Sequence, residues 1–280
     1  MTPTTPTVVA PSSAESMALA AYYQRLQTQL LTQGLMRTDG GGADTPFSDA
    51  QLAENFIQIA LFDEYDTSTG ILRAQATASR LRRWEQPIVM SIEFGATVPV
   101  ADRAAAAQEV RTYAERLSRL TGVPIRFGAE RANFHVLFLG EDDRRAIAPR
   151  LRDLIPGITP TSVRAVTALP RDQLCIVIGT FGADGVSYDT AVALVRAEHP
   201  ALMRLSCIHE ELAQGMGLAN DSPRARPSIF NDDEEFGLLT SHDEMLLKML
   251  YDPRFTAGMT AAEAAPIARQ IAPEFFAGPV

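Results

Sequence analysis

Apolar residues recur at helical spacing in some tracts of the chain and at strand spacing in others, and the two periods divide it into elements. Leu19, Tyr22, Tyr23, Leu26 and Leu30 share one face of a helix expected over about 13–33. Leu52, Phe56, Ile59 and Ala60 stripe a second, over about 48–65, with Ser48 placed to cap it. From Trp84 the period changes. Residues 87–94 alternate apolar and polar as a strand does, and 99–120 then read as a helix with Val110, Tyr113, Leu117 and Leu120 inward. Short strands are expected at 125–127, 134–139, 174–180 and 192–197, with a helix over 144–154. This order predicts an α/β or α+β fold, a mixed sheet with helices crossing over it.

The strand at 192–197 leads into the helix around which the chain is organised. Leu202, Leu205, Ile208, Leu212 and Met216 make its buried stripe from about 201 to 216, and Gly217 is the natural stop. At roughly 100° per residue, Glu210 and Gln214 fall together on another face, with Met203 and Cys207 beside them and Glu211 a little further round. A polar patch at the end of a mostly apolar helix marks a place where a central helix meets a cleft. Beyond it, 221–236 is a Pro- and Asp-rich loop too long for a plain connector. Ser241 and Glu244 then open a helix with capping-box spacing, and Thr260 with Glu263 opens a last one that Pro266 and Pro273 keep short or kinked.

Composition narrows the partners. The 280 residues carry 46% hydrophobic content and a net charge of -9, enough to bury a core and the wrong sign for nucleic acid or an anionic membrane. Within 201–250 nine acids face four bases, so a cation is a better match there than a phosphate. No apolar run reaches the length of a membrane span, and no N-terminal signal-like segment is present. Residues 1–14 read as a Thr- and Pro-rich tether of the kind that often follows a removed signal or lipid anchor, and 15–65 as an N-terminal helical segment. Cys175 and Cys207 are either buried thiols or one disulfide in an oxidising compartment.

The four histidines show no zinc-helix pairing, and His209 falls on the leucine stripe, where a core role outweighs a ligand role. Gly179-Thr180-Phe181-Gly182 is a faint nucleotide signal better read as a tight turn. Glu210, Glu211 and Gln214 remain as candidate chemistry.

Around them the last third resembles the metzincin zinc peptidases, especially the matrixins, whose motif is H-E-x-x-H-x-x-G-x-x-H or D. On that pattern Glu210 and Gln214 stand at the first two histidine ligands, Glu211 at the catalytic glutamate, Gly217 at the turn and Asn220 at the third ligand, beside Asp221. Pro227 to Phe230 stands where the methionine turn would be, and the strand at 192–197 resembles the edge strand that holds extended substrate.

More closely, the runs 132–138, 207–221, 228–233 and 250–254 are similar to a bacterial family of exported proteins catalogued as a domain of unknown function, number twenty-nine twenty-seven, over about 52–272. These resemblances imply a zincin-like domain over 80–276, a location in the periplasm or cell envelope, and a Cys175 to Cys207 bridge. They also imply one of two activities. The first is a metallopeptidase-type hydrolase with Glu211 as general base and a cation at Glu210, Gln214, Asn220 and Asp221, with His209, Asp232 and Asp233 also in the cleft. The second is a non-catalytic scaffold that binds a peptide or protein by strand addition. Amide oxygens are poor zinc ligands, so the all-oxygen set suits calcium or magnesium better than zinc.

Overall fold

The computed structural model of the chain describes residues 10–66, 73–231 and 233–277. It opens with helix α1 (Ala14–Thr32), started by the Ser13 hydroxyl accepting from the Ser16 N–H, and α2 (Asp49–Ala60), started by the capping box of Ser48 and Gln51. α2 ends earlier than its period suggests, because the chain turns out as strand β1 (Phe62–Asp66) and pairs antiparallel with β2 (Arg73–Ala78). That small hairpin sheet leaves no trace in the apolar pattern. The tether and the expected cleft residue Asp232 lie outside the described residues, apart from 10–14 of the former.

The main sheet comprises β3 (Ile88–Phe94), β4 (Ile125–Phe127), β5 (Phe134–Leu139), β6 (Cys175–Phe181) and β7 (Tyr188–Arg196), in the spatial order β4-β3-β5-β7-β6. The first four in that order run parallel and β6 runs antiparallel to β7. Helix α3 (Val100–Thr121) crosses between β3 and β4, while α4 (Glu141–Ala146), α5 (Ala148–Leu154) and α6 (Pro160–Thr167) separate β5 from β6. The expected single helix over 144–154 is two, since Pro149 has no N–H to continue the ladder. The fold is mixed α/β, as the order of periods implied.

All of β5 is buried because both faces of a parallel sheet are covered. Phe134, Val136 and Phe138 join the main core, and Leu137 and Leu139 join a second one against Leu151 of α5, Ile155 just after it and Val166 of α6. Leu52, Phe56 and Ile59 of α2 belong to that same main core.

The central helix is α7 (Ala201–Gln214), two residues shorter than expected and capped by Gly215. Its Ile208 and Leu212 and the following Met216 have no exposed surface; burying each such side chain contributes about 1.5–3 kcal/mol. Helix α8 (Ser241–Leu250) takes its capping box from Thr240 and Asp243, one residue before the expected pair, and α9 (Ala261–Ile271) takes the expected one from Thr260 and Glu263.

One strand assignment needs correcting. The strand before α7 is not a sheet edge: β7 lies between β5 and β6, and the edges are β4 and β6, the latter expected as a buried core strand. Its apolar side chains mislead because the edge runs along its backbone; its faces still pack. The Gly179 to Gly182 run belongs to this strand and its exit, and a Cβ on Gly179 would come within 2.4 Å of the Tyr188 ring.

Candidate functional site: an acidic cleft between the edge strand and the central helix

The end of α7 is held by contacts to three distant segments. Trp84 Nε1 donates to the Gly215 carbonyl at 2.8 Å, and the Tyr251 hydroxyl donates to the Met216 carbonyl at 2.8 Å. Gly217 then turns the chain at a φ of 120°, where a Cβ would lie 2.3 Å from the Arg82 carbonyl oxygen. Only glycine allows both that dihedral and that approach. On the other side, Cys207 of α7 is bonded to Cys175 at the start of β6, with an S–S distance of 2.00 Å. The disulfide reading of the two cysteines therefore holds, and it joins the two walls of a cleft.

That cleft, about 680 Å³, is lined by β6 from Cys175 to Gly179, by Phe181 and Tyr188, by Glu210, Glu211 and Gln214 of α7, and by Gly215 at its cap. Glu211 and Gln214 are buried, 3% and 8% exposed, while Glu210 is half-buried. Among its lining residues the cleft gathers six carboxylates, Asp63, Asp172, Glu210, Glu211, Asp221 and Glu234, against one arginine, Arg82. Arg82 is itself paired with Asp63 at 2.6 Å and stacked over Phe181 at 4.3 Å. Low-dielectric walls around charge of one sign concentrate the field and attract cations. Burial pushes the Tyr188 hydroxyl up to about 12, so it stays protonated and adds no charge.

Of the residues singled out from sequence, Glu210, Glu211, Gln214 and Asp221 meet in this cleft and three others do not. His209 is one helical step from Glu210 and points into the core, where its ring stacks on Tyr113 at 3.9 Å and its Nδ1 accepts from the Leu239 N–H. Burial holds its imidazole down to about 3, in its neutral form. Asn220 is turned toward α2 and donates from Nδ2 to the Gln58 carbonyl at 2.8 Å. Asp233 is exposed and accepts from the Glu235 N–H.

Asp63, Arg82, Asp172 and Glu234 were missed. They come from four separate segments, and the local signals are Asp172, a charge just before the apolar strand β6, and Glu234, in the acidic loop beyond the central helix.

Residues 228–229 of the loop after α7 are fixed from below. The buried Asp243 carboxylate accepts from the Ser228 hydroxyl, the Ile229 N–H at 3.0 Å and the Thr240 N–H at 3.0 Å. The segment matched to the methionine turn is thus a pinned turn whose Phe230 is wholly buried.

The donor chemistry does not fit a peptidase zinc. The ligand atoms of Cys175, Glu210 and Glu211 lie within 4.8 Å of one another, but the sulfur is committed to the disulfide and is no thiolate. With His209 and Asn220 turned away, what faces the cleft is oxygen: Glu210, Glu211, Gln214 and Asp221. That chemistry suits calcium or magnesium. No helix among the described residues is long and apolar enough to cross a membrane.

No curated protein and no solved structure matches this chain. One family model does, over residues 49–270, under the description "Protein of unknown function (DUF2927)", and by that match, which takes in both cleft walls and the helices beneath them, the chain belongs to that family.

Proposed function

We propose that the protein is an exported binding domain that takes an extended, positively charged peptide segment into the cleft beside β6. One observation carries the reading. The edge strand of the main sheet, paired on one side by β7, forms one wall of a cleft whose other wall presents Glu210, Glu211 and Gln214. An edge strand offers backbone donors and acceptors to an added strand, and side-chain pockets beside it set the preference. Carboxylates in those pockets select lysine and arginine. The disulfide between the walls supports export, since such bonds persist in oxidising compartments.

A hydrolase descended from zincin peptidases is the second reading, and the placement of Glu211 in the cleft, facing the edge strand, favours it. It requires a cation to activate water, and the oxygen-only donor set gives that step little support.

The test is calorimetric titration with an extended Arg- and Lys-rich peptide, its acidic counterpart and a copy of the basic peptide N-methylated at alternate residues. Saturable binding of the basic peptide alone, weakened about tenfold or more by Glu210→Gln with Asp172→Asn and abolished by N-methylation, is the expected result. Equal binding of both peptides would reject the electrostatic part, and insensitivity to N-methylation the strand-addition part. Peptide cleavage that depends on added calcium or zinc and disappears in Glu211→Gln would favour the hydrolase.

A further inference from the structure

A second cavity, about 770 Å³, lies between α1 and the α4–α6 region and has the opposite chemistry. Five arginines line it, Arg25, Arg144, Arg145, Arg171 and Arg196, with Glu15 and Glu141 as the only acids, a lining charge of +3 in a protein of net charge -9.

The inner part is a rigid frame. Glu141 pairs with Arg144 at 2.6 Å and with Arg196 at 3.1 Å, and all three are 5% exposed or less at their side chains. Arg196 also donates from Nη2 to the carbonyls of Leu169 and Pro170, bracing the loop that leads to β6. Its buried Nε lines up with no acceptor among the described residues.

The mouth is different. The ion pairs of the cavity engage Arg144, Arg145 and Arg196, and among the described residues Arg25 and Arg171 take part in none. Arg171 is held over the Tyr22 ring at 4.9 Å, and Arg25 follows Tyr22 by one helical turn on α1. A guanidinium fixed on an aromatic face has already lost much of the freedom that binding would cost it.

We propose that this cavity is an oxyanion site for a phosphate group, either the free anion or a small phosphate monoester. Two uncommitted guanidiniums, one of them immobilised, present the fork geometry that bidentate phosphate recognition uses. A dianion offsets most of the surplus positive charge, where a carboxylate would offset a third of it. The volume leaves room for an organic body behind the phosphate.

The test uses calorimetry on the intact protein at constant ionic strength set with chloride. The probes are inorganic phosphate and glycerol phosphate. At least one should bind saturably with a Kd of about 1 mM or tighter. Arg171→Gln and Arg25→Gln should each weaken it about tenfold, and Arg126→Gln, an exposed arginine on β4 at the far sheet edge, should leave it unchanged. Tighter binding of glycerol phosphate identifies an organic monoester as the ligand type, and tighter binding of inorganic phosphate identifies the free anion. No saturable binding of either probe at about 10 mM, or equal losses in all three variants, would overturn the site. The two mouth arginines are exposed, so their variants are expected to melt as the parent does, and a thermal scan verifies that each is folded.

Discussion

The two cavities are separated by one loop, and two successive residues of it, Arg171 and Asp172, face opposite ways: Arg171 lines the basic cavity and Asp172 the acidic cleft. They are built on different principles. In the basic cavity one buried carboxylate, Glu141, serves three guanidiniums, Arg144, Arg145 and Arg196, so much of its arginine content is architecture while a surplus of positive charge remains. Although burial alone would raise the Glu141 carboxyl, these three guanidiniums outweigh it and hold the group below the usual range. In the acidic cleft the lining brings six carboxylates together with a single arginine, Arg82, which is paired with Asp63. Net charge alone therefore hides both sites, because a basic lining and an acidic lining lie on the two sides of one loop.

The sharpest way to break this comparison is Glu141→Ala. It strands two buried guanidiniums, and unfolding in urea should show a loss of about 3–5 kcal/mol. A loss below about 1 kcal/mol would mean that the basic frame is not held by its ion pairs. The corresponding brace of the cleft is covalent. Replacing both cysteines, Cys175→Ala with Cys207→Ala, frees β6 from α7 across a sequence separation of 32. The expected cost is about 3 kcal/mol, with peptide affinity falling further than phosphate affinity. An equal effect on both ligands would show the two cavities to be one mechanical unit.

A smaller effect probes the ground between them. His199 packs edge-on against Tyr23 at 4.5 Å and lies 3.7 Å from the Cys207 sulfur. Burial, helped by Arg196 and Arg204, holds its imidazole down to about 3. Because the folded state resists a proton that the unfolded chain takes up near the ordinary histidine value of about 6.5, the unfolded state binds more protons in this window. Stability is complete above that value and falls as pH drops from about 6.5 toward 3, by up to about 1.4 kcal/mol per pH unit. Urea midpoints measured across that range should slope less in His199→Gln than in the parent, and parallel slopes would exclude this residue as the cause.

Much was legible in the chain itself, and the reason is the local character of the signals. The stripe of Ile208, Leu212 and Met216, the alternation of 88–94 and the caps at Ser48 and Thr260 depend on neighbours within a turn or two, and these elements form where the periods place them. The pairing of Glu210, Glu211 and Gln214 on one side of α7, with His209 on another, follows from helical angle alone.

What the sequence could not decide is which strand is the edge, since burial of side chains says nothing about whether a backbone has one partner or two. Nor could it show that Asn220 would turn to Gln58, or that Asp63, Arg82, Asp172 and Glu234 would converge from four segments onto one helix end. The basic cavity was equally hidden, because its arginines are scattered from Arg25 to Arg196 and share no local period. Sequence thus determined the elements, whose energetics are local, and only the tertiary structure decided the two sites, because charge at a distance becomes chemistry only when the chain brings it within reach.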